Sequence, residues 1–147
     1  MKIIEAISRI DALKHNTYTQ SDKVRWLSAL DNVIKSLVID THEVDKEVEF
    51  SGYNDSTDVN KTELLVSAPH DEMYLLWLES KIDYYNGEYA RYNNSAEAFN
   101  TVFEDFKKFY NRTHMPKGKQ LNYYGNLQDV LLEASNSIVK IGIKEVK

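Results

Sequence analysis

The sequence predicts a mainly α-helical bundle of about four main helices, with a long acidic loop and a C-terminal extension that alternates like a β-strand. Three observations predict this class. The chain has 147 residues, 42% of them hydrophobic, which suits one domain with one core. Its 5 Gly and 2 Pro are too few for the turns of a small β-sandwich or barrel. Apolar residues also recur at three- and four-residue spacing, which is typical of helices.

The first helix is expected over residues 2–14, where the apolar stripe is Ile3, Ile7, Ile10 and Leu13. The second begins after Thr19, because Thr19 and Asp22 have the spacing of a capping arrangement, and is expected to end at residues 40–42. Its apolar stripe comprises Val24, Leu27, Leu30, Ile34, Leu37 and Val38. Its polar face comprises Asp22, Lys23, Arg25, Asp31 and Lys35.

An acidic loop is predicted after the second helix, over residues 43–61. Residues 43–58 contain six acidic and one basic side chain, a local charge of −5 that equals the net charge of the whole chain. Such a self-repelling, turn-rich stretch is typical of an exposed loop. The two-residue period of Val44, Val48 and Phe50 is compatible with a short edge hairpin inside it.

The third and fourth helices follow this loop. Ser67 is expected to cap the third and Pro69 to occupy its first turn. Residues 73–78 are apolar on every side, which predicts the centre of the core. The third helix is expected to continue through Tyr92, bent at Gly87, and residues 93–95 to separate it from the fourth. The fourth is expected to end near Arg112, with an apolar stripe of Phe99, Val102, Phe103, Phe106, Phe109 and Tyr110.

The C-terminal extension has a different character. We divide the chain into a helical bundle domain, residues 1–116, and an extension, residues 117–147. From Arg112 onward there are six basic and three acidic residues, and residues 139–144 alternate like a strand. Two interpretations stay open: this strand extends a sheet edge on another molecule, or it pairs with residues 48–50 of its own chain.

The sequence contains no recognisable catalytic constellation. The chain has no cysteine, and its four histidines lack metal-site spacing. His70-Asp71 is a dipeptide of some metal phosphohydrolases, but its place at a helix start is explained by the helix dipole. The oxygen-rich residues 54–60 lack the glycine and closing glutamate of a calcium loop. No phosphate-binding loop or serine elbow is present, so we expect no enzyme, metal or cofactor.

Tyrosine is the unusual residue type, with 10 in the chain. Five of them lie on the predicted third helix: Tyr74, Tyr84, Tyr85, Tyr89 and Tyr92. This pattern fits either a subunit interface or the rim of the core. Nucleic-acid binding is disfavoured, because only Lys81 and Arg91 accompany these rings while five acidic residues share the helix.

Several motifs together resemble one protein family. They are Glu63-Leu64-Leu65-Val66, Ala68-Pro69, Asp71-Glu72, Tyr74, Lys81-Ile82-Asp83-Tyr84, Gly87-Glu88, Tyr92-Asn93-Asn94-Ser95, Phe99-Asn100 and residues 110–116, with similar stretches at residues 5–14 and 40–43. The chain resembles the head-to-tail connector, or adaptor, proteins of tailed phages and prophages of Gram-positive bacteria. The resemblance covers most of residues 1–116.

The resemblance implies a virion structural protein, assembled in the bacterial cytoplasm. Such adaptors are helical bundles that form a homo-oligomeric ring, a dodecamer, beneath the portal protein and seat the tail or stopper protein. DNA passes through the ring without sequence-specific binding, and neither export nor membrane spanning is expected. The family supplies no catalytic residue or cofactor to carry over.

Particular residues receive roles on this interpretation. Those expected between neighbouring subunits are Tyr84, Tyr85, Tyr89 and Arg91. Those expected at the portal are Ile138, Val139, Ile141 and Ile143. The acidic loop is expected to face the channel or the next ring, through Glu47, Glu49, Phe50, Tyr53, Asp55 and Asp58. Its like charge would keep passing DNA from sticking.

Two other functions compete with the connector. The first is a small phage-encoded binding or regulatory protein that acts on a host factor as a monomer or dimer. The second, ranked well behind, is a metal-dependent hydrolase around His70-Asp71. Size measurements at rising concentration separate the first from a ring-former, and metal-dependent melting tests the second.

Overall fold

A computed structural model describes residues 1–117 of the chain and confirms the predicted fold class. Four α-helices make up the bundle: α1 Ile3–Leu13, α2 Gln20–Ile34, α3 Met73–Tyr85 and α4 Tyr89–Thr113. In this part of the chain, extended backbone pairs only at two isolated bridges, Lys2 with Glu63 and His42 with Pro116. None of the helices within residues 1–117 is both long and apolar enough to cross a bilayer.

The first two helices have the predicted beginnings. Thr19 caps α2: its Oγ1 accepts from the Asp22 amide at 3.1 Å, and its own amide donates to the Asp22 carboxylate at 3.1 Å. This reciprocal pair satisfies two amides that the helix leaves unpaired. α2 continues as a π-helical turn, Lys35–Ile39, so the helical path ends beside the predicted residue 40.

The connection between α3 and α4 corrects the prediction. The helices separate at residues 86–88, where Gly87 has φ +74°, and α4 then runs unbroken through residues 93–95. The predicted stop at Asn93–Ser95 is therefore wrong. Ser95 is instead a buried residue inside α4, and its hydroxyl donates to the Asp83 carboxylate at 3.0 Å. This bond ties the two helices of the hairpin together.

The start of α3 also differs in detail. A 3₁₀ turn, His70–Glu72, precedes the helix, and Pro69 stands just before that turn. The Ser67 side chain makes no capping bond there; its backbone carbonyl accepts from the His70 amide at 3.1 Å. The predicted side-chain cap is thus replaced by a backbone turn.

The core lies where predicted, around α3. Met73, Tyr74, Leu78 and Ile82 are fully buried there. Ten residues of the stripes predicted for the other helices are also buried: Ile3, Ile7, Ile10, Val24, Leu27, Leu30, Ile34, Val38, Phe99 and Phe106. Three stripe residues are exposed instead, namely Leu13, Leu37 and Phe109. One apolar stripe per helix therefore accounts for most of the bundle.

Two residues assigned to the polar face of α2 are buried, which corrects that assignment. The Lys23 ammonium donates to the Asp11 carboxylate at 2.6 Å and to the Tyr18 carbonyl at 3.0 Å. Asp31 has no accessible surface. Each lies among polar partners from other segments, and such partners offset the cost of removing a charge from water.

Candidate protein-interaction site

Six aromatic side chains gather at the end of the bundle where α3 turns into α4. We call Tyr18, Trp26, Tyr84, Tyr85, Tyr89 and Tyr92 the aromatic cluster. The α3–α4 hairpin supplies four of them, Trp26 comes from α2, and Tyr18 from the residues before α2. The cluster exists because the chain reverses at Gly87, which brings the end of α3 beside the start of α4.

The rings form two connected groups. Tyr85 stacks on Trp26 with 5.4 Å between ring centroids and an interplanar angle of 7°, while Tyr18 meets Trp26 edge-on at 5.3 Å. Tyr84 contacts Tyr85 at 5.3 Å, Tyr89 at 6.2 Å and Tyr92 at 5.3 Å, all edge-on. Rings locked against one another lose little conformational freedom when a partner covers them.

Much of this aromatic surface faces solvent. Tyr84 is 48% exposed, Tyr85 57% and Tyr89 62%. A core-rim tyrosine keeps mainly its hydroxyl in water, whereas these side chains are about half accessible. Neighbouring exposed aromatics mark a protein-interaction surface, since tyrosine and tryptophan dominate the centres of interfaces. The geometry therefore favours the interface interpretation of these tyrosines over the core-rim one.

A cleft of about 610 Å³ adjoins the cluster at Asn86, which lines the cleft and contacts Tyr18 of the cluster. The Tyr18 hydroxyl donates to the Asn86 side-chain oxygen at 2.7 Å. The cleft is lined by Ile10, Leu13, Lys14, His15, Glu79, Asn86, Glu88 and Arg91. An aromatic centre beside a rim with charges of both signs is the anatomy of a protein–protein interface.

The predicted interface residues do not all lie together. The structure brings Tyr84, Tyr85 and Tyr89 into one cluster, but Arg91 lies in the adjoining cleft. Its guanidinium pairs with the Glu88 carboxylate at 3.3 Å. Arg91 therefore lies beside the aromatic cluster and not within it.

Sequence reasoning missed Tyr18, Trp26, Leu13 and Asn86 as members of this surface. Tyr18, Trp26 and Leu13 come from segments distant in sequence from α3, so no spacing rule links them to it, whereas Asn86 directly follows α3. The sequence offers one indication for Leu13. It is the last residue of the α1 stripe, and a last apolar residue can extend past the partner helix and become exposed. At 71% exposure it is the most exposed of the large apolar side chains in residues 1–117.

The acidic segment lies against the bundle at several points. Val44 and Val48 pack on the core, and Val59 is buried and accepts a bond from the Ile4 amide at 3.1 Å. Among the residues predicted to face the channel, Glu47, Glu49, Asp55 and Asp58 are exposed, whereas Phe50 and Tyr53 are half-buried. The apolar side chains of the acidic loop thus attach its backbone to the bundle, and its charged side chains face solvent.

Tyr53 has a structural role that the sequence did not reveal. Its hydroxyl donates to Asp31 at 2.5 Å, and the Tyr74 hydroxyl donates to the other carboxylate oxygen at 2.5 Å. The Leu65 amide donates to Asp31 at 3.2 Å, and the Val66 amide donates to the Tyr74 hydroxyl at 2.9 Å. We call this set the Asp31 network. It attaches to α2 both Tyr53, inside the acidic loop, and Leu65, after the loop.

Electrostatics fix the direction of these bonds. Burial raises the pKa of Asp31, and the bonds donated by Tyr53, Tyr74 and Leu65 oppose that shift only in part. Burial, together with the nearby Asp31 carboxylate, also raises the pKa of both phenols well above the usual value. The two phenols therefore stay protonated and act as donors throughout the physiological range.

Two of the histidines, His42 and His70, pack within the bundle. Within the described part of the chain, no three His, Asp, Glu or Cys side chains are grouped as ligands. His70 packs on Phe106 and Phe109, at 5.7 and 4.6 Å between centroids. His42 is buried between the Val38 carbonyl, 2.6 Å from Nδ1, and the Asn111 side chain, 2.7 Å from Nε2.

The predicted portal residues, Ile138, Val139, Ile141 and Ile143, lie outside the described residues. Comparison with known proteins adds no assignment: no protein-family model, curated protein or solved structure matches the chain. A function is therefore argued from the resemblance in sequence and from the geometry of the aromatic cluster.

Proposed function

We propose that this chain is a structural subunit of a phage head-to-tail connector, assembling into a homo-oligomeric ring on the portal through its aromatic cluster. The observation that carries the proposal is the half-exposed set Tyr84, Tyr85 and Tyr89 at one end of the bundle. The sequence resemblance supplies the class of partner, namely the neighbouring subunit and the portal protein.

The surface chemistry suits a protein partner better than a nucleic acid. The cleft beside the aromatic cluster carries Lys14, His15 and Arg91, but Glu79 and Glu88 lie among them. Lys14 also pairs with the buried Asp83, so its charge is already matched inside the subunit. A surface for the DNA backbone needs unopposed positive charge, whereas alternating charge gives register between protein surfaces.

The experiment is sedimentation of the full chain with portal rings from the same phage gene cluster. The double variant Tyr84→Ser, Tyr89→Ser removes two exposed rings and leaves the core untouched. We expect it to bind the rings or self-assemble about tenfold more weakly, because buried tyrosines are frequent hot spots. The matched control is Leu37→Ser, which removes a 62% exposed apolar side chain from another face.

Surface substitutions of this kind usually change stability by only about 0.5 kcal/mol, so unchanged melting separates lost binding from lost folding. A double variant that assembles like the wild type contradicts the role of the cluster. A wild-type chain that stays small at every concentration and ignores portal rings contradicts the connector and favours the regulatory alternative.

A further inference from the structure

The backbone of residues 44–52 is unpaired within the part of the chain that the structure describes. In the part of the chain that the structure describes, no backbone-to-backbone hydrogen bond involves any of these nine residues. A run of unpaired amides and carbonyls is a template for a further strand. We call residues 44–52 the open edge.

The side chains of the open edge are already sorted as in a strand. Val48 and Phe50 are half-buried, whereas Glu47, Glu49 and Ser51 between and beside them are exposed. Val48 packs on the core, and the Phe50 ring meets Tyr53 edge-on at 4.9 Å. The two-residue period is therefore present over residues 47–51, and the described part of the chain contains no strand paired with them.

Both ends of the open edge are pinned. Before it, the Glu43 amide donates to the Met115 carbonyl at 2.6 Å, and the Lys117 amide donates to the Thr41 carbonyl at 2.8 Å. After it, the Tyr53 amide donates to the Ser28 hydroxyl at 2.9 Å. An edge held at both ends has already lost part of the conformational entropy that pairing would otherwise cost.

Space for another strand lies alongside. One open groove of about 520 Å³ is lined by Lys35 and residues 47–51. A second, of about 410 Å³, is lined by residues 43–45 and 113–115. The Lys35 ammonium is paired with Asp40 at 2.9 Å, so among the charged residues lining the first groove Glu47 and Glu49 lack an ion-pair partner in the described part of the chain.

We propose that residues 138–144 of the same chain pair with the open edge. In the sequence, Val139, Ile141 and Ile143 alternate with Lys140, Gly142 and Lys144. A strand of this pattern lays its apolar face beside Val48 and Phe50 and its lysines beside Glu47 and Glu49. Apolar and opposite-charge neighbours across strands both stabilise the pairing.

The chain can reach this position. It leaves the described part at Lys117, which is bonded to Thr41, close in sequence to the open edge. Residues 118–137 can span up to about 65 Å when extended, more than such a connection requires. This inference does not depend on the connector proposal.

Amide hydrogen exchange of the full chain tests the pairing. We expect alternate amides of residues 45–51 to exchange about tenfold more slowly in the wild type than in Ile141→Pro, because proline breaks the added ladder. Equal rates in the two proteins overturn the proposal. Protection that disappears on dilution, together with dimers in sedimentation, overturns it in favour of a second copy of the chain.

Charge reversal gives an independent test that needs no proline. Lys140→Glu with Lys144→Glu should remove most of the protection, and adding Glu47→Lys with Glu49→Lys should restore it. The control is Lys119→Glu with Lys147→Glu, the same charge change outside the alternating residues. If the control lowers protection as much, or if the combined variant fails to regain it, specific pairing of the two segments is ruled out.

Discussion

Replacing Asp31 with alanine tests the Asp31 network most sharply. The carboxylate has no accessible surface and accepts three bonds, from Tyr53, Tyr74 and Leu65. Alanine removes the acceptor and leaves these three donors behind. Because Tyr53 and Leu65 belong to the segments flanking residues 54–63, the substitution also loosens the attachment of those segments to α2.

The magnitude follows from which donors can find water. Tyr53 is half-exposed and can turn its hydroxyl to solvent, so its loss is small. The Tyr74 hydroxyl is buried and the Leu65 amide is half-buried, and an unpaired buried donor costs about 1–3 kcal/mol. Relief of the burial penalty on the carboxylate offsets part of this. We expect a net loss of about 2–4 kcal/mol in the free energy of unfolding.

Urea denaturation near pH 7, followed by circular dichroism, measures this loss, and the melting temperature should fall by about 5–10 °C. Asp45→Ala is the control, because Asp45 is exposed. It should change stability by no more than about 0.5 kcal/mol. If Asp31→Ala unfolds at the urea concentration of the control, the Asp31 network does not hold the fold as argued.

Two further predictions concern pH and the α3–α4 turn. Because burial raises the pKa of Asp31 above its usual 3.8, the unfolded chain loses this proton first as pH rises. As pH rises from about 3 to the raised pKa, the free energy of unfolding of the wild type should therefore fall relative to that of Asp31→Asn. Urea titrations in which the difference between the two proteins does not change with pH would refute this. Gly87→Ala should lower the free energy of unfolding by about 1 kcal/mol, because φ at this position is +74°, which alanine adopts only with strain. No atom lies within 4 Å of the added methyl, so a steric clash does not add to this cost. A variant that melts at the wild-type temperature would refute the backbone argument.

The sequence predicts a helix correctly where its capping residues and its periodic apolar stripe indicate the same segment. The Ile3, Ile7 and Ile10 stripe and the Thr19–Asp22 cap each combine a period or spacing with a backbone preference, and both are present. The α3–α4 boundary failed because two local signals competed. Gly87 and residues 93–95 both have the residue types of a helix end. In the structure the helix ends only near Gly87, and Ser95 lies inside α4, where it bonds to Asp83 of α3.

Buried charges were beyond sequence reasoning. Asp31 and Lys23 fit the polar face of an isolated α2, and their burial depends on Tyr53, Tyr74 and Asp11, which come from other segments. A helical wheel has no information about such partners. Tertiary hydrogen bonds therefore overrule the polar pattern at these two positions.

Only some members of the aromatic cluster can be identified from the sequence, because the others depend on tertiary packing. The number of tyrosines in one stretch singles out Tyr84, Tyr85 and Tyr89, and all three are exposed; their role at a subunit interface stays a prediction. Trp26 and Tyr18 joined them only in three dimensions, because the order of packing between α2 and the hairpin cannot be read from either segment alone.

We have proposed that the aromatic cluster contacts neighbouring copies of this chain in a connector ring. Electron cryomicroscopy of portal rings incubated with the full chain tests it most directly. The account predicts a ring of copies below the portal, with Tyr84, Tyr85 and Tyr89 covered at the boundary between subunits. Portal rings without added density, or a ring in which these three side chains face solvent, would contradict it.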